Sequence, residues 1–202
     1  MSMILVLTTL SDESIDRVLE TPALIWRVIS PDDPEILAEA LGKSGKKGFF
    51  ARLFGGKSSE PERRPELKLA KDEIMDTDLD KAWHGIHFML TGSDWEGDPP
   101  LNFLVAGGTE VGNIDVGYGP ARVFRSAEVA KMNSALDEVT EEFLRTRFQP
   151  DVMMKKEIYP TIWDRDPEND DTFDYLLEYF RELKKFIRLA VAKGLGLVVT
   201  LQ

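Results

Sequence analysis

Leu79-Asp80-Lys81-Ala82-Trp83-His84-Gly85-Ile86-His87-Phe88-Met89-Leu90-Thr91-Gly92 holds both histidines of the chain and one of its four tryptophans. At about 100° per residue, Leu79, Ala82, Trp83, Ile86, Met89 and Leu90 share one broad apolar face of a helix, which marks that face as core. Asp80, His84 and His87 fall together on a flank about 60° wide, and Phe88 points away from the core face. A helix with this pattern is covered on more than one side. Asp78 is placed to cap its N-terminus, and Gly92 to close it in the left-handed conformation. The other segments are expected to be arranged around it.

Toward the N-terminus, residues 2–8 form a short apolar run that reads as a buried strand. Ser11 offers an N-cap to a helix with Ile15, Val18 and Leu19 on one side, and Thr21-Pro22 starts another with Leu24, Ile25, Val28 and Ile29 inward. Residues 30–34 break it, and a short helix is expected from Pro34 to Leu41, ended by Gly42. From about residue 43 to 76 the period is lost and Gly, Lys, Ser, Glu and Pro accumulate, which reads as a basic flexible insertion. Within it Phe49, Phe50, Arg52 and Phe54 form a candidate partner or membrane patch. One or two turns bury little area, so a flap folding back on the domain is the preferred reading of these residues.

Toward the C-terminus, residues 93–100 are rich in turn formers, residues 101–106 are a second strand candidate, and Thr109 to Val116 a third. Glycines flank Tyr118, which implies either unusual backbone angles or something close to the main chain. A helix is expected from Ser126, with Val129, Met132, Leu136 and Val139 on one side and Glu128 favoured by the helix dipole in its first turn. Further helical pieces span residues 141–148 and begin at Pro150, and residues 158–165 are an aromatic, proline-punctuated connector that packs. From about Thr172 to Lys193 two apolar stripes predict a long helix covered on two sides, followed by Gly194 and a terminal strand. Apolar strands at both ends of the chain are expected to lie in one sheet, side by side. The expected fold is α+β: a single compact domain over residues 1–202, with a small mixed sheet that includes both terminal strands, packed by several helices.

The charge is −11 over 202 residues, yet residues 43–71 carry nine Lys/Arg against three Glu, leaving −17 elsewhere. This balance argues against nucleic acid as a partner and favours a protein partner of basic character. There is no cysteine, which excludes thiolate catalysis and disulfides. The first ten residues lack a secretory signal and no stretch is long and apolar enough to span a bilayer, so a cytoplasmic location is expected, with membrane contact peripheral at most.

Asp80, His84 and His87 invite a metal or acid–base reading, because imidazole ligates metals and titrates near neutrality. The histidines are three apart rather than four, and the glutamate base of the helical zinc motif is missing. Hydrogen-bonded structural histidines are therefore preferred, and no metal is assigned. Residues 164–171 have a calcium-loop composition, but Asn169 replaces the required glycine and Tyr175 the bidentate glutamate, so capping of the next helix explains them better. No P-loop, dinucleotide fingerprint or nucleophile elbow is present, and no cofactor is called for. Tyr118, Arg122, Tyr159, Trp163 and Tyr175 could line a ligand pocket with Asp80, His84 and His87.

Residues 79–87, Gly119-Pro120-Ala121-Arg122-Val123, Ile158-Tyr159-Pro160 with Ile162-Trp163-Asp164-Arg165, and Phe173-Asp174-Tyr175-Leu176-Leu177 through Tyr179-Phe180 together resemble the YfbM-like family, small bacterial proteins grouped as a domain of unknown function. The resemblance covers most of the chain outside residues 43–76. It implies a compact α+β domain and supplies no catalytic residues. The expected function is then non-catalytic binding of a protein partner through the acidic surface, for example to neutralise a basic toxin. The alternative is an enzyme or small-ligand binder with a pocket near His84 and Arg122.

Overall fold

The computed structural model describes residues 2–44 and 66–202. Its centre is a five-stranded sheet in the order β2-β1-β5-β4-β3, formed by β1 (Leu5–Leu10), β2 (Asp76–Asp78), β3 (Thr109–Asp115), β4 (Pro120–Phe124) and β5 (Gly196–Leu201). The terminal strands are neighbours, in register from Leu5 opposite Leu201 to Leu10 opposite Gly196. All four pairings are antiparallel, so the sheet is not mixed as expected from the sequence. The β3–β4 pair needs only a tight hairpin, which imposes that direction.

Helices cover both faces. On one side lie α1 (Asp12–Glu20), a 3₁₀ turn (Pro22–Ile25) running into α2 (Trp26–Ile29), and α3 (Pro34–Ser44). Leu10, Val123 and Val198 point toward them and pack with Ile15, Leu24 and Ile25. On the other side lie α4 (Trp83–Thr91), α5 (Ser126–Glu138), α6 (Glu141–Arg147), α7 (Pro150–Lys155) and α8 (Thr172–Ala192). Leu5, Leu7, Phe124, Leu197 and Val199 face this larger core. Burial on both faces is why β1 and β5 read as apolar runs instead of alternating.

The caps follow the sequence. Ser11 Oγ accepts the Ser14 amide at 3.2 Å, and Asp171 Oδ1 accepts those of Phe173 and Asp174 at 3.0 Å, starting α1 and α8. Gly92, at φ 77°, closes α4. Every residue from Trp83 to Leu90 is buried, so α4 is enclosed on all sides. Gly85 lets α8 come close: a Cβ there would stand 2.7 Å from Leu176 Cδ2 and 2.8 Å from Trp163 Cη2.

Three further expectations change. Helix α4 begins at Trp83, not after Asp78, because β2 pairs with β1 through Asp78 and the Leu79 amide extends that ladder to Leu5 O at 2.9 Å. Asp80 then turns the chain at φ 41° and lies off the helix. Residues 101–106 are a turn with buried Phe103 and Leu104, not a strand. Ordered packing resumes well before residue 76: Leu67 enters the smaller core, and buried Glu73 accepts the amides of Ser11 at 2.9 Å and Ala70 at 2.7 Å. Phe49, Phe50, Arg52 and Phe54 lie outside the described residues. Among the described residues no helix is long and apolar enough to cross a membrane.

Candidate functional site

The residues proposed as one pocket are distributed over separate junctions. His84 ties two loops to α4. Its Nε2 donates to Asp94 O at 2.8 Å and its Nδ1 accepts the Tyr159 amide at 3.0 Å, which fixes a neutral tautomer. The ring stacks on Trp83 (4.8 Å, 9°) and lies under Trp95 (4.5 Å, 41°). Burial pushes its pKa down, against the opposing pull of Asp94. Tyr159 continues the junction to the N-terminus, accepting the Met3 amide at 3.1 Å, while Trp83 Nε1 donates to Met3 O at 3.2 Å. With both nitrogens committed to backbone, His84 has neither a free base nor a free donor for a substrate.

Arg122 performs a similar task elsewhere. It stands opposite Glu110 in the β3–β4 ladder and reaches back to the turn at residues 102–107. Nη1 donates to the carbonyls of Phe103, Ala106 and Gly107 at 3.1, 2.7 and 3.1 Å, and Nη2 to Leu104 O at 2.7 Å. Burial lowers its pKa to about 10, with Glu110 opposing, so it remains a cation at neutral pH. These bonds explain the failed strand expectation: carbonyls that a neighbouring strand would have satisfied are satisfied by one guanidinium. His87, fully buried, is close enough to feel Arg122. Its Nε2 is 3.4 Å from Thr91 Oγ1 and its Nδ1 has no hydrogen-bond partner among the described residues.

Trp163 is also structural. It packs over Gly85 and donates from Nε1 to Ile158 O at 2.6 Å. Tyr118 is at another end of the sheet, half exposed, with its amide on Leu201 O at 2.9 Å. The close neighbour implied by its flanking glycines is the chain's own last strand, since a Cβ on Gly117 would stand 2.6 Å from that same oxygen.

Of the eight, Asp80 and Tyr175 line one open cleft together. It has a volume of about 290 Å³ and lies where the turn after β2, the 160–165 connector and the first turn of α8 meet. Tyr175 donates to Asp80 Oδ2 at 2.9 Å, and burial followed by this bond raises the phenol pKa, so the hydroxyl stays protonated. Pro160, Ile162 and buried Thr172 complete the wall, together with Lys81, Arg165 and Asp170. Those last three were missed in the sequence, although the turn-forming run before α8 marked where two of them would gather. A larger groove of about 370 Å³ between α2–α3 and β3, lined in part by Trp26, Ile36 and Ile114, contains none of the candidate residues. Among the described residues no group of three or more His, Asp or Glu is arranged to hold a metal.

The fold and these junctions define a single α+β domain built on an antiparallel sheet, with His84 and its sheet arginine bound to backbone. A family model described as a domain of unknown function, DUF1877, matches residues 1–200, and the chain belongs to that family. It is similar to the crystal structure of YfbM from Escherichia coli, itself described as a protein of unknown function. Identity is 18%, coverage is 98% of this chain and 99% of that one, and the TM-score is 0.62, a likeness of fold. No curated protein matches the chain.

Proposed function

We propose that this is a non-catalytic, cytoplasmic binding protein that engages a basic protein partner through its acidic surface. The observation that carries the reading is where the acids gather. Asp76 and Asp78 on edge strand β2, Asp164, Asp166 and Glu168 in the loop before α8, and Asp174 and Glu178 on α8 are all exposed. Asp80, Asp78 and Glu178 lie close enough to Tyr179 to raise its pKa after burial does. Tyrosines among acids suit a partner interface, the charges setting encounter rate and selectivity and the rings contributing contact area. Commitment of His84 and Arg122 to backbone removes the groups that an enzyme reading had leaned on.

The test is capture of partners by the full chain at low and high salt, beside a variant carrying Asp166→Asn, Glu168→Gln, Asp174→Asn and Glu178→Gln. A basic protein retained at low salt, released at high salt and lost by the variant is expected. Absence of any partner, or binding indifferent to both salt and substitution, would overturn the reading.

A further inference from the structure

We propose that the cleft bounded by Asp80, Lys81, Ile162, Arg165 and Tyr175 binds a small zwitterion, an α-amino acid with an apolar side chain. The first support is charge. The surrounding face is strongly acidic, but the cleft itself combines two carboxylates, Asp80 and Asp170, with two cations, Lys81 and Arg165. A free carboxylate is repelled by that face and a free amine is attracted to any part of it. A molecule with both charges and no net charge is the one that this local balance selects.

The second support is which groups are spent. Arg165 and Asp170 pair with each other, and both are about half exposed. Asp80 uses Oδ2 to accept from Tyr175, leaving Oδ1 without a hydrogen-bond partner among the described residues. Lys81, only partly exposed, has no ion-pair or hydrogen-bond partner for its ammonium among them either. One carboxylate oxygen and one ammonium thus stand open on consecutive residues at the same cleft. A ligand ammonium is placed against Asp80 and a ligand carboxylate against Lys81, as charge-assisted hydrogen bonds.

The third support is size and lining. At about 290 Å³ the cleft is at the lower bound of small-molecule sites, which suits a compact metabolite. Pro160, Ile162 and the Tyr175 ring provide apolar wall for an aliphatic side chain. The three segments that form the cleft are fixed from behind by Trp163 on Gly85 and by the Asp171 cap of α8, so it is largely preformed.

The test titrates the full chain with L-leucine, 3-methylbutylamine and 4-methylpentanoate, by calorimetry and by amide chemical shifts. L-Leucine is expected to bind saturably with Kd below about 1 mM, and each single-charge analogue at least about tenfold more weakly. Lys81→Gln and Asp80→Asn each weaken leucine at least about tenfold; Asn tolerates the left-handed backbone at residue 80 and can still accept from Tyr175. Shifts in the wild-type chain should centre on Ile162 and Tyr175, a readout independent of whether a variant folds. No saturable leucine binding up to about 10 mM, binding equalled by the amine or the acid, or shifts centred elsewhere would overturn the assignment. The outcome is independent of the protein-partner reading, since neither probe nor variant involves a partner.

Discussion

Lowering the pH from 7 to 4 should remove about 3 kcal/mol of stability through His87 alone. The side chain is fully buried, and burial, with a smaller contribution from nearby His84, drives its pKa from 6.5 to about 4. Asp94 and the Glu96 backbone favour the charged form but do not offset burial, and Arg122 opposes it. As pH falls through 6.5 the unfolded chain takes up a proton that the folded chain refuses until about pH 4. The contribution is therefore complete above pH 6.5, is lost between 6.5 and 4, and changes no further below. At about 1.4 kcal/mol per pKa unit, the shift is worth about 3 kcal/mol. The measurement is urea unfolding of wild type and His87→Gln at intervals from pH 7 to 4, followed by tryptophan fluorescence. Carboxylates and His84 titrate in both chains and largely cancel, so the stability gap between the two should move by about 3 kcal/mol in favour of the variant. With an m-value of about 2 kcal/mol/M this is a midpoint change of about 1.5 M. A gap that is constant with pH, or an NMR titration in which both histidines of the folded chain show pKa values near 6.5, would refute the reasoning.

Gly85→Ala should destabilise by about 1–2 kcal/mol, because overpacking against Trp163 and Leu176 costs more than the roughly 1 kcal/mol of helix propensity gained; a variant that melts at or above wild type would show that the close approach is absent. Arg122→Lys keeps the charge but cannot reproduce a fork serving four carbonyls, so a loss of about 2–4 kcal/mol is expected in denaturant unfolding, with faster amide exchange at Val105 and Ala106. His84→Phe preserves stacking between Trp83 and Trp95 but strands the Tyr159 amide and the Asp94 carbonyl, for a loss of about 2–4 kcal/mol; unchanged protection of the Tyr159 amide would count against the tie.

What could be read in the sequence was whatever a single element displays by itself. Helix α8 shows its period over 21 residues and is capped by its own Asp171, while β1 and β5 show burial on both faces as largely apolar runs broken only by threonines and a glycine. What could not be read depends on a partner distant in the chain. Strand β2 is three residues, Asp-Thr-Asp, with no alternation to betray it, and exists because β1 offers it a ladder. That pairing holds Leu79 and delays α4 to Trp83, which moves Asp80 away from the histidines and toward Tyr175, 95 residues further on. Residues 101–106 have the composition of a strand, but Arg122 competes for their carbonyls from another part of the sheet.

The histidines show why residue type alone misleads about function. An imidazole that accepts one proton and donates another serves equally as a general acid–base or as a tie between two backbone strands of loop, and only the identity of its partners distinguishes the two. In His84 both partners are main chain, and in Arg122 all four acceptors are main chain, so the most reactive-looking side chains of the fold are consumed in holding loops. By the same reasoning, the groups available for recognition are those with bonding capacity left over. Asp80 Oδ1 and the Lys81 ammonium meet that condition at a cleft, and the exposed acids of β2 and α8 meet it over a wider face. The two binding proposals therefore draw on the edge of the sheet where β2, the 160–165 connector and α8 converge, rather than on the buried helix that carries both histidines.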